Sequence, residues 1–178
     1  MKKISFLKVL IIISSLLLSG CGYRLASSVN PMLDNYDSIA IPYFENKTFE
    51  AEAVTIFTYA VINEFIESKR LKVEGIDNAD LVLYGTVKEL NENSIGYSSD
   101  DKAREYRIWA TLELSLEEKS TGTVLWKREK LTHDNEYLSA DLRAGGEITE
   151  TDASKTRALV LLAEDLAERI HDSIVQGF

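Results

Sequence analysis

The chain has 178 residues, a formal net charge of −9 and a single cysteine. This length is enough for one domain with a substantial hydrophobic core. The acidic balance argues against a nucleic-acid partner, because bulk negative charge repels phosphates. The lone cysteine excludes an internal disulfide.

The first twenty residues are typical of a secretory signal peptide. Three lysines accompany an apolar and serine-rich run at residues 9–18, and small residues follow it. The run is too short to span a bilayer stably, which takes roughly 20 apolar residues. Without the three lysines, 17 basic residues remain against 29 acidic ones, so the processed chain has a net charge of −12.

The segment Leu18-Ser19-Gly20-Cys21 resembles the lipobox of bacterial lipoproteins. In that class the chain is cut before the cysteine, which then carries the lipid. The resemblance implies a signal peptide at 1–20 and covalent diacylglycerol and N-acyl groups such as palmitate on Cys21, with no other cofactor. Gly22 stands where an aspartate tends to retain lipoproteins in the inner membrane, which favours the outer membrane. The alternative is that Cys21 is an ordinary signal-region residue or a buried thiol.

The elements of the first half follow in order. Residues 21–37 are expected to form a lipidated tether, and 38–178 a single domain. Residues 38–44 are predicted to form a short strand, with Pro42 at an edge or a strand end because it cannot donate to a ladder. A helix is predicted over 50–68, with Thr48 as a plausible N-cap and apolar residues on a broad stripe.

The second half is predicted to contain three longer strands and a second helix. A strand over 80–90 has Leu81, Leu83 and Val87 on one face and Val82, Tyr84 and Leu90 on the other. Polar residues 91–102 indicate a long hairpin loop. Residues 104–117 alternate strictly between apolar and polar, which is typical of a strand with one buried face.

Residues 123–132 are predicted to return as a strand, with a register that the sequence leaves open. A polar loop over 133–150 and a helix over 153–175 complete the chain. The order β-α-(β)-β-β-β-α predicts an α+β two-layer sandwich, in which two helices cover one face of a mixed sheet of about four strands.

Several segments resemble a known family. Residues 21–25 read CGYRL, and residues 39–48 read IAIPYFENKT. Residues 79–87 and 121–126 fit the same pattern, so the resemblance extends in order over the processed chain. Together they resemble LptE, the lipopolysaccharide-assembly lipoprotein family. The segment around Pro42 is also similar to the first strand of lipoprotein activators of cell-wall synthases and of the curli secretion lipoprotein.

The resemblance implies a role and two partners. LptE proteins sit inside the outer-membrane barrel LptD, help it assemble and help deliver lipopolysaccharide to the outer leaflet. The family is described as binding lipopolysaccharide through basic residues. The alternative function is a lipoprotein activator of a cell-wall synthase or another envelope assembly factor, although the spacer of about sixteen residues is short for that task.

Six residues on two neighbouring predicted strands are candidate contacts for lipopolysaccharide or a protein partner. Arginine forks suit phosphate groups, and an exposed tryptophan is often a contact anchor. The candidates are Arg104, Arg107, Trp109, Lys127, Arg128 and Lys130. The basic residues have an alternative role in cross-strand pairs with acidic neighbours such as Glu113 and Glu117, and Trp109 has one in packing under a loop or the tether.

The sequence does not indicate an enzyme. His133 and His171 are the only histidines, and no Gly-x-Ser-x-Gly elbow accompanies them. We expect His171 to be a solvated helix residue. The spacing typical of a zinc site is absent, and no glycine-rich phosphate loop follows a strand. We therefore predict no catalytic residues and no metal ligands.

Overall fold

The computed structural model describes residues 30–97, 103–138 and 148–177, without the side chains of 103, 104 and 148–152. The predicted signal peptide at 1–20 and Cys21 lie outside the described residues. Six strands and two α-helices form this part of the chain. They are β1 (Ser38–Ala40), β2 (Glu45–Asn46), α1 (Ala53–Ser68), β3 (Lys72–Val73), β4 (Leu81–Tyr97), β5 (Ala103–Glu118), β6 (Val124–Leu138) and α2 (Ile148–Val175).

All six strands belong to one mixed sheet with the order β3-β1-β4-β5-β6. The short strand β1 pairs in parallel with β3 on one side and β4 on the other. The long strands β4, β5 and β6 form an antiparallel meander. A mixed sheet results because a helical connection lets β3 return parallel to β1, whereas hairpins reverse the chain between the later strands.

The first strand is interrupted where the sequence contains proline. Both β1 and β2 pair in parallel with β4, Ile39 opposite Leu81 and Asn46 opposite Val87. Pro42 lies in the gap between them, so its predicted position at a strand end is confirmed. The break turns Phe44 into the core, where a Cβ added to Gly85 would lie 2.5 Å from the Phe44 ring. Gly85 therefore makes room for this ring.

The main core lies between the sheet and the two helices. Helix α1 contributes Phe57, Val61 and Phe65, and α2 contributes Leu162, Leu166, Ile170 and Ile174 as the matching stripe. The facing residues of β5 are Ile108, Ala110, Leu112, Leu114 and Leu116, each at most 1% exposed. The predicted α+β sandwich with two helices on one face is confirmed, with six strands in place of about four.

Both long polar segments were predicted wrongly as loops. Residues 91–97 continue β4, and residues 133–138 continue β6, while α2 begins at Ile148. Asn91 pairs with Trp109, and Trp109 in turn pairs with Asp134. These polar stretches are strands because the backbone ladder with β5 orders them, even though most of their side chains remain in solvent.

Two β-bulges change which side chains face the core. A register shift between Val87 and Glu89 moves Leu90 onto the helix-covered face opposite Ala110, where the sequence placed it on the other face. Leu90 packs there against the core. A second shift, between Leu112 and Leu114, places both Glu129 and Lys130 on the open face. An extra residue reverses the alternation beyond it.

The end of the range predicted as a tether contacts the domain. Leu33, in a 3-10 helix over Pro31–Leu33, is fully buried. The backbone N–H of Asn30 donates to the carbonyl of Val175, and its side-chain amide donates to the carbonyl of Ile174. These bonds satisfy carbonyls at the end of α2 that have no partner within the helix. The boundaries 21–37 and 38–178 stay predictions.

No helix within the described residues has the length and apolar character needed to cross a membrane.

Candidate functional site

The face of the sheet opposite the helices is the candidate functional site, which we call the open face. On β5 it consists of Arg107, Trp109, Thr111, Glu113, Ser115 and Glu117, the partners of the buried apolar positions. No described element packs over this face, in contrast to the other face, which both helices cover. Its side chains are therefore the ones that a partner can contact directly.

Trp109 lies near the centre of the open face and is half-buried. Its cross-strand neighbours are Asn91 on β4 and Asp134 on β6. A shallow cavity of about 330 Å³ adjoins its ring, and Ile95 and Thr132 line the same cavity. Ile95 is 41% exposed, so an indole and an aliphatic side chain meet solvent together. This combination suits a partner that buries apolar surface and leaves a polar rim.

Arg107 is held by two carboxylates of β6. Its Nε donates to Glu136 Oε1 at 3.0 Å and lies 3.4 Å from Asp134 Oδ2. The hydrogen bond to Glu136 raises the pKa of the Arg107 guanidinium, and the negative charge of Glu136 acts in the same direction. Arg107 therefore carries a fixed positive charge, but an incoming phosphate would have to compete with Glu136 for it.

Lys127 belongs to a second group of paired charges on the open face. Its Nζ lies 3.3 Å from Glu129 Oε1 and 3.9 Å from Glu113 Oε1, and Lys88 donates to Glu113 Oε2 at 3.0 Å. The hydrogen bond from Lys88 lowers the pKa of Glu113, and the charges of Lys88 and Lys127 lower it further. The predicted cross-strand pairing with Glu113 thus exists beside any role in binding.

The structure brings some of the candidate residues together and separates one. Arg107, Trp109, Lys127 and Lys130 share the open face. Arg128 lies on the helix-covered face opposite Leu114, where its Nη2 donates to Ser173 of α2. The single patch predicted to contain Arg128 is therefore wrong for that residue. Arg104 lies in β5, and its side chain is outside the described part of the structure, as is Cys21.

Three open-face residues were missed by sequence reasoning. Asn93 and Ile95 line the cavity beside Trp109, but both fall in a stretch that was predicted as a loop. Lys88 lies at the first bulge, where strict alternation gives no reliable assignment to a face. Ile95 does carry a signal, because it is an isolated apolar residue among polar neighbours.

The outer surface of the helices differs in charge from the open face. A groove of about 580 Å³ lies between α1 and α2, with Ile56, Tyr59 and Val160 among the residues that line it. The other groups at this groove include five carboxylates, and its lining contains no lysine or arginine. They are Glu64, Glu67, Glu164, Asp165 and Glu168.

The two histidines lie apart and contact different parts of α2. His133 Nε2 on β6 lies 3.3 Å from Asp165 Oδ2. His171 is 9% exposed and meets the ring of Phe65 edge-on at 5.2 Å, so the expectation of a solvated His171 is wrong. Among the described residues, no group of three or more His, Cys, Asp or Glu side chains is placed to hold a metal ion.

A sheet with one face covered by helices and the other presenting tryptophan and paired charges defines a small domain built for binding. The sequence matches the family LptE, lipopolysaccharide-assembly, over residues 36–174. Because this match covers most of the chain, the protein belongs to the LptE family, whose members are assembly factors and not enzymes. The recognition made from the sequence segments is confirmed.

Solved structures share the fold at low sequence identity. Protein XCC0632 from Xanthomonas campestris is 13% identical with a TM-score of 0.52, over 79% of this chain and 85% of that one. The hypothetical protein CT253 from Chlamydia trachomatis is 12% identical with a TM-score of 0.50, over 78% and 98%. A minor lipoprotein from Acinetobacter baumannii is 16% identical with a TM-score of 0.46, over 78% and 90%. No curated protein matches the chain significantly.

Proposed function

We propose that this protein is an outer-membrane lipoprotein that binds the LptD barrel, supports its assembly and assists the delivery of lipopolysaccharide to the outer leaflet. The observation that carries the proposal is the family match over residues 36–174. The lipobox-like segment before Cys21 supports cleavage after residue 20 and attachment through lipid. Two or three acyl chains hold a protein at a membrane far longer than one chain does.

The proposed contact surface is the open face around Trp109. A partner that covers this face would bury the exposed edges of Trp109 and Ile95 and meet the paired charges of Arg107 and Lys127 at its rim. Buried aromatic and arginine side chains contribute most to typical protein interfaces. Arg104 and Lys130 are the remaining proposed contacts with lipopolysaccharide or the barrel, while Arg128 is the weakest candidate because it faces α2.

Co-purification tests the proposed partner. The full-length lipoprotein, carrying an affinity tag, is extracted from its envelope in mild detergent, and the co-purifying proteins are identified. We expect a large β-barrel at equimolar amounts together with lipopolysaccharide. Recovery of a cell-wall synthase, or of no barrel, would contradict the proposal. Depletion of the lipoprotein is expected to lower both assembled barrel and surface lipopolysaccharide.

A pair of aromatic substitutions tests the proposed surface. Trp109→Ala is expected to reduce the amount of co-purifying barrel about tenfold or more, because a central aromatic anchor is lost. Tyr59→Ala is the matched control, since Tyr59 is 48% exposed on the helix side of the molecule. Equal barrel recovery with both variants would show that the open face is not the contact surface, and the melting temperatures of the two variants check that both fold.

The lipid site has its own test. Mass spectrometry of the purified natural protein is expected to show an N-terminal Cys21 carrying diacylglycerol and an N-acyl chain. An unmodified thiol at this position, or a freely diffusing protein, would contradict the proposed attachment.

A further inference from the structure

The outer edge of β6 is a long strand edge that no described strand covers. Strand β6 runs over Val124–Leu138, fifteen residues. At about 3.3 Å per residue it is roughly 50 Å long. It pairs with β5 on one side only and ends the sheet. Such an edge presents backbone N–H and C=O groups to any strand that can lie beside it, and proteins normally protect it with charges.

The charges on β6 are divided between its two halves. The first half carries Lys127, Arg128 and Lys130, and the second half carries Asp134 and Glu136. An edge protected by charges of one sign repels every copy of itself. Here the division of signs means that a second β6 repels in a parallel arrangement, with Lys130 on Lys130, and attracts in an antiparallel one.

The bulge in β6 fixes which antiparallel register places matching side chains on the same face. With Thr132 opposite Thr132 of a second copy, Lys130 lies opposite Asp134. Glu129 is the additional residue of the bulge, so beyond it Lys127 lies opposite Glu136. All four residues point to the open face. Two-fold symmetry repeats each pair, so four oppositely charged cross-strand pairs form.

The charged groups retain surface for a second contact. The side chains of Lys127, Asp134 and Glu136 are 47%, 52% and 44% exposed although each already has a neighbour within its own sheet. A carboxylate offers two oxygens, so Asp134 and Glu136 can accept from a lysine of the second copy while they hold Arg107.

We infer that two copies of this chain pair antiparallel through the outer edges of β6, centred on Thr132, and join their sheets into one. The two-fold axis lies perpendicular to the sheet, so both open faces point to the same side. This homodimer goes beyond the proposed function and does not require the barrel.

A cysteine at the centre of the predicted contact tests the dimer. Thr132→Cys is introduced into the full-length lipoprotein, and the envelope is treated with a mild oxidant such as copper phenanthroline. We expect a disulfide-linked dimer on a non-reducing gel, because directly opposite side chains in antiparallel strands have adjacent Cβ atoms. Thr123→Cys, exposed outside β6, is the matched control and is expected to stay monomeric, as is the unchanged chain.

Charge exchange tests the register in the Thr132→Cys background. Lys130→Asp is expected to reduce the cross-linked dimer about tenfold, since each symmetric pair becomes repulsive. Adding Asp134→Lys exchanges the signs and is expected to restore the dimer. The melting temperatures of the purified variants, compared in detergent, show that a loss of cross-linking is not a loss of folding. A Thr132→Cys adduct with a different protein, no adduct in a folded variant, or a failure of the exchanged pair to recover would overturn the inference.

Discussion

The two faces of the sheet have opposite physical roles. The helix-covered face contains fully buried Leu112, Leu114 and Leu116 on β5, whereas the open face of the same strand carries Arg107, Trp109 and Glu113. Burial of apolar side chains is the main source of stability, while exposed ion pairs contribute little. The comparison teaches that one strand supplies the stability of the fold through one face and its recognition surface through the other.

The largest expected effect comes from opening the covered face. Leu112→Ala removes a side chain that is 0% exposed between Val87 and Leu131. We expect a loss of about 3 kcal/mol in the free energy of unfolding, from lost burial and the cavity left behind. Urea unfolding measures it. Asn91→Ala, exposed on the open face, is the control and is expected to change stability by less than about 0.5 kcal/mol.

A smaller effect is expected from overpacking the covered face. Gly85→Ala places a Cβ 2.5 Å from the Phe44 ring, so the ring or the β4 backbone must shift. We expect a loss of about 1–3 kcal/mol in thermal or urea unfolding. Gly75→Ala is the matched control, because nothing lies within 4 Å of its added Cβ. Equal stability of the two variants would show that Phe44 does not depend on the space at Gly85.

Lys155 is a polar exception on the covered side, and its removal is expected to have a weaker effect. Its Nζ lies 3.0 Å from Glu50 Oε1 and 3.1 Å from Glu92 Oε2, linking α2 to the start of α1 and to β4. Burial lowers the pKa of Lys155, but the hydrogen bonds to Glu50 and Glu92 outweigh it and the pKa is raised.

Lys155→Met is expected to cost about 1 kcal/mol at neutral pH, because two carboxylates lose their shared cation. Urea unfolding is the measurement. Adding Glu92→Gln is expected to recover part of the loss by removing one unpaired charge. If the double variant is less stable than Lys155→Met alone, the explanation from charge is wrong.

The smallest expected effect is the pH dependence contributed by Asp80, at the edge of both faces. Asp80 Oδ2 accepts hydrogen bonds from the Ser38 hydroxyl at 2.7 Å and from the backbone N–H groups of Asp37 and Ser38. The hydroxyl bond to Ser38 is the largest cause that lowers the pKa of Asp80 below its ordinary value of 3.8. Ionised Asp80 therefore stabilises the start of β1.

Because the folded pKa is depressed, this stabilisation is present above the unfolded pKa and is lost as the pH falls through the folded value. Asp80→Asn is expected to lower the melting temperature by a few degrees near pH 7, where the ionised carboxylate is the better acceptor. The difference from the unchanged chain is expected to shrink on acidification below pH 3.8. A difference that is constant between pH 7 and pH 3 would contradict the role of the charge.

The sequence was sufficient to predict the fold wherever burial shapes the pattern. The alternation over residues 104–117 predicted β5 and both of its faces, because each apolar residue there meets the helices. The same reasoning failed for residues 91–97 and 133–138, since strands that are held by backbone pairing carry no apolar stripe. Polarity alone does not distinguish such strands from loops.

Part of the candidate site depended on features that a sequence does not display. The alternation predicted Arg107 and Trp109 on the open face. Arg128 was wrongly grouped with them because the bulge in β6 is fixed only by pairing with β5. Lys88 and Ile95 were missed for related reasons, one at a bulge and the other beyond the predicted end of β4. Register, which no single strand encodes, determined each of these outcomes.

The hydrogen bonds of Asn30 to the end of α2 have a consequence for how the domain hangs from a membrane. They pin the chain nine positions after Cys21 to one corner of the fold, beside Val175. With the proposed lipid on Cys21, the free leash spans at most about 30 Å. The domain can then swivel about a single pivot close to the lipid headgroups but cannot travel far into the periplasm, so any partner must come within that short radius.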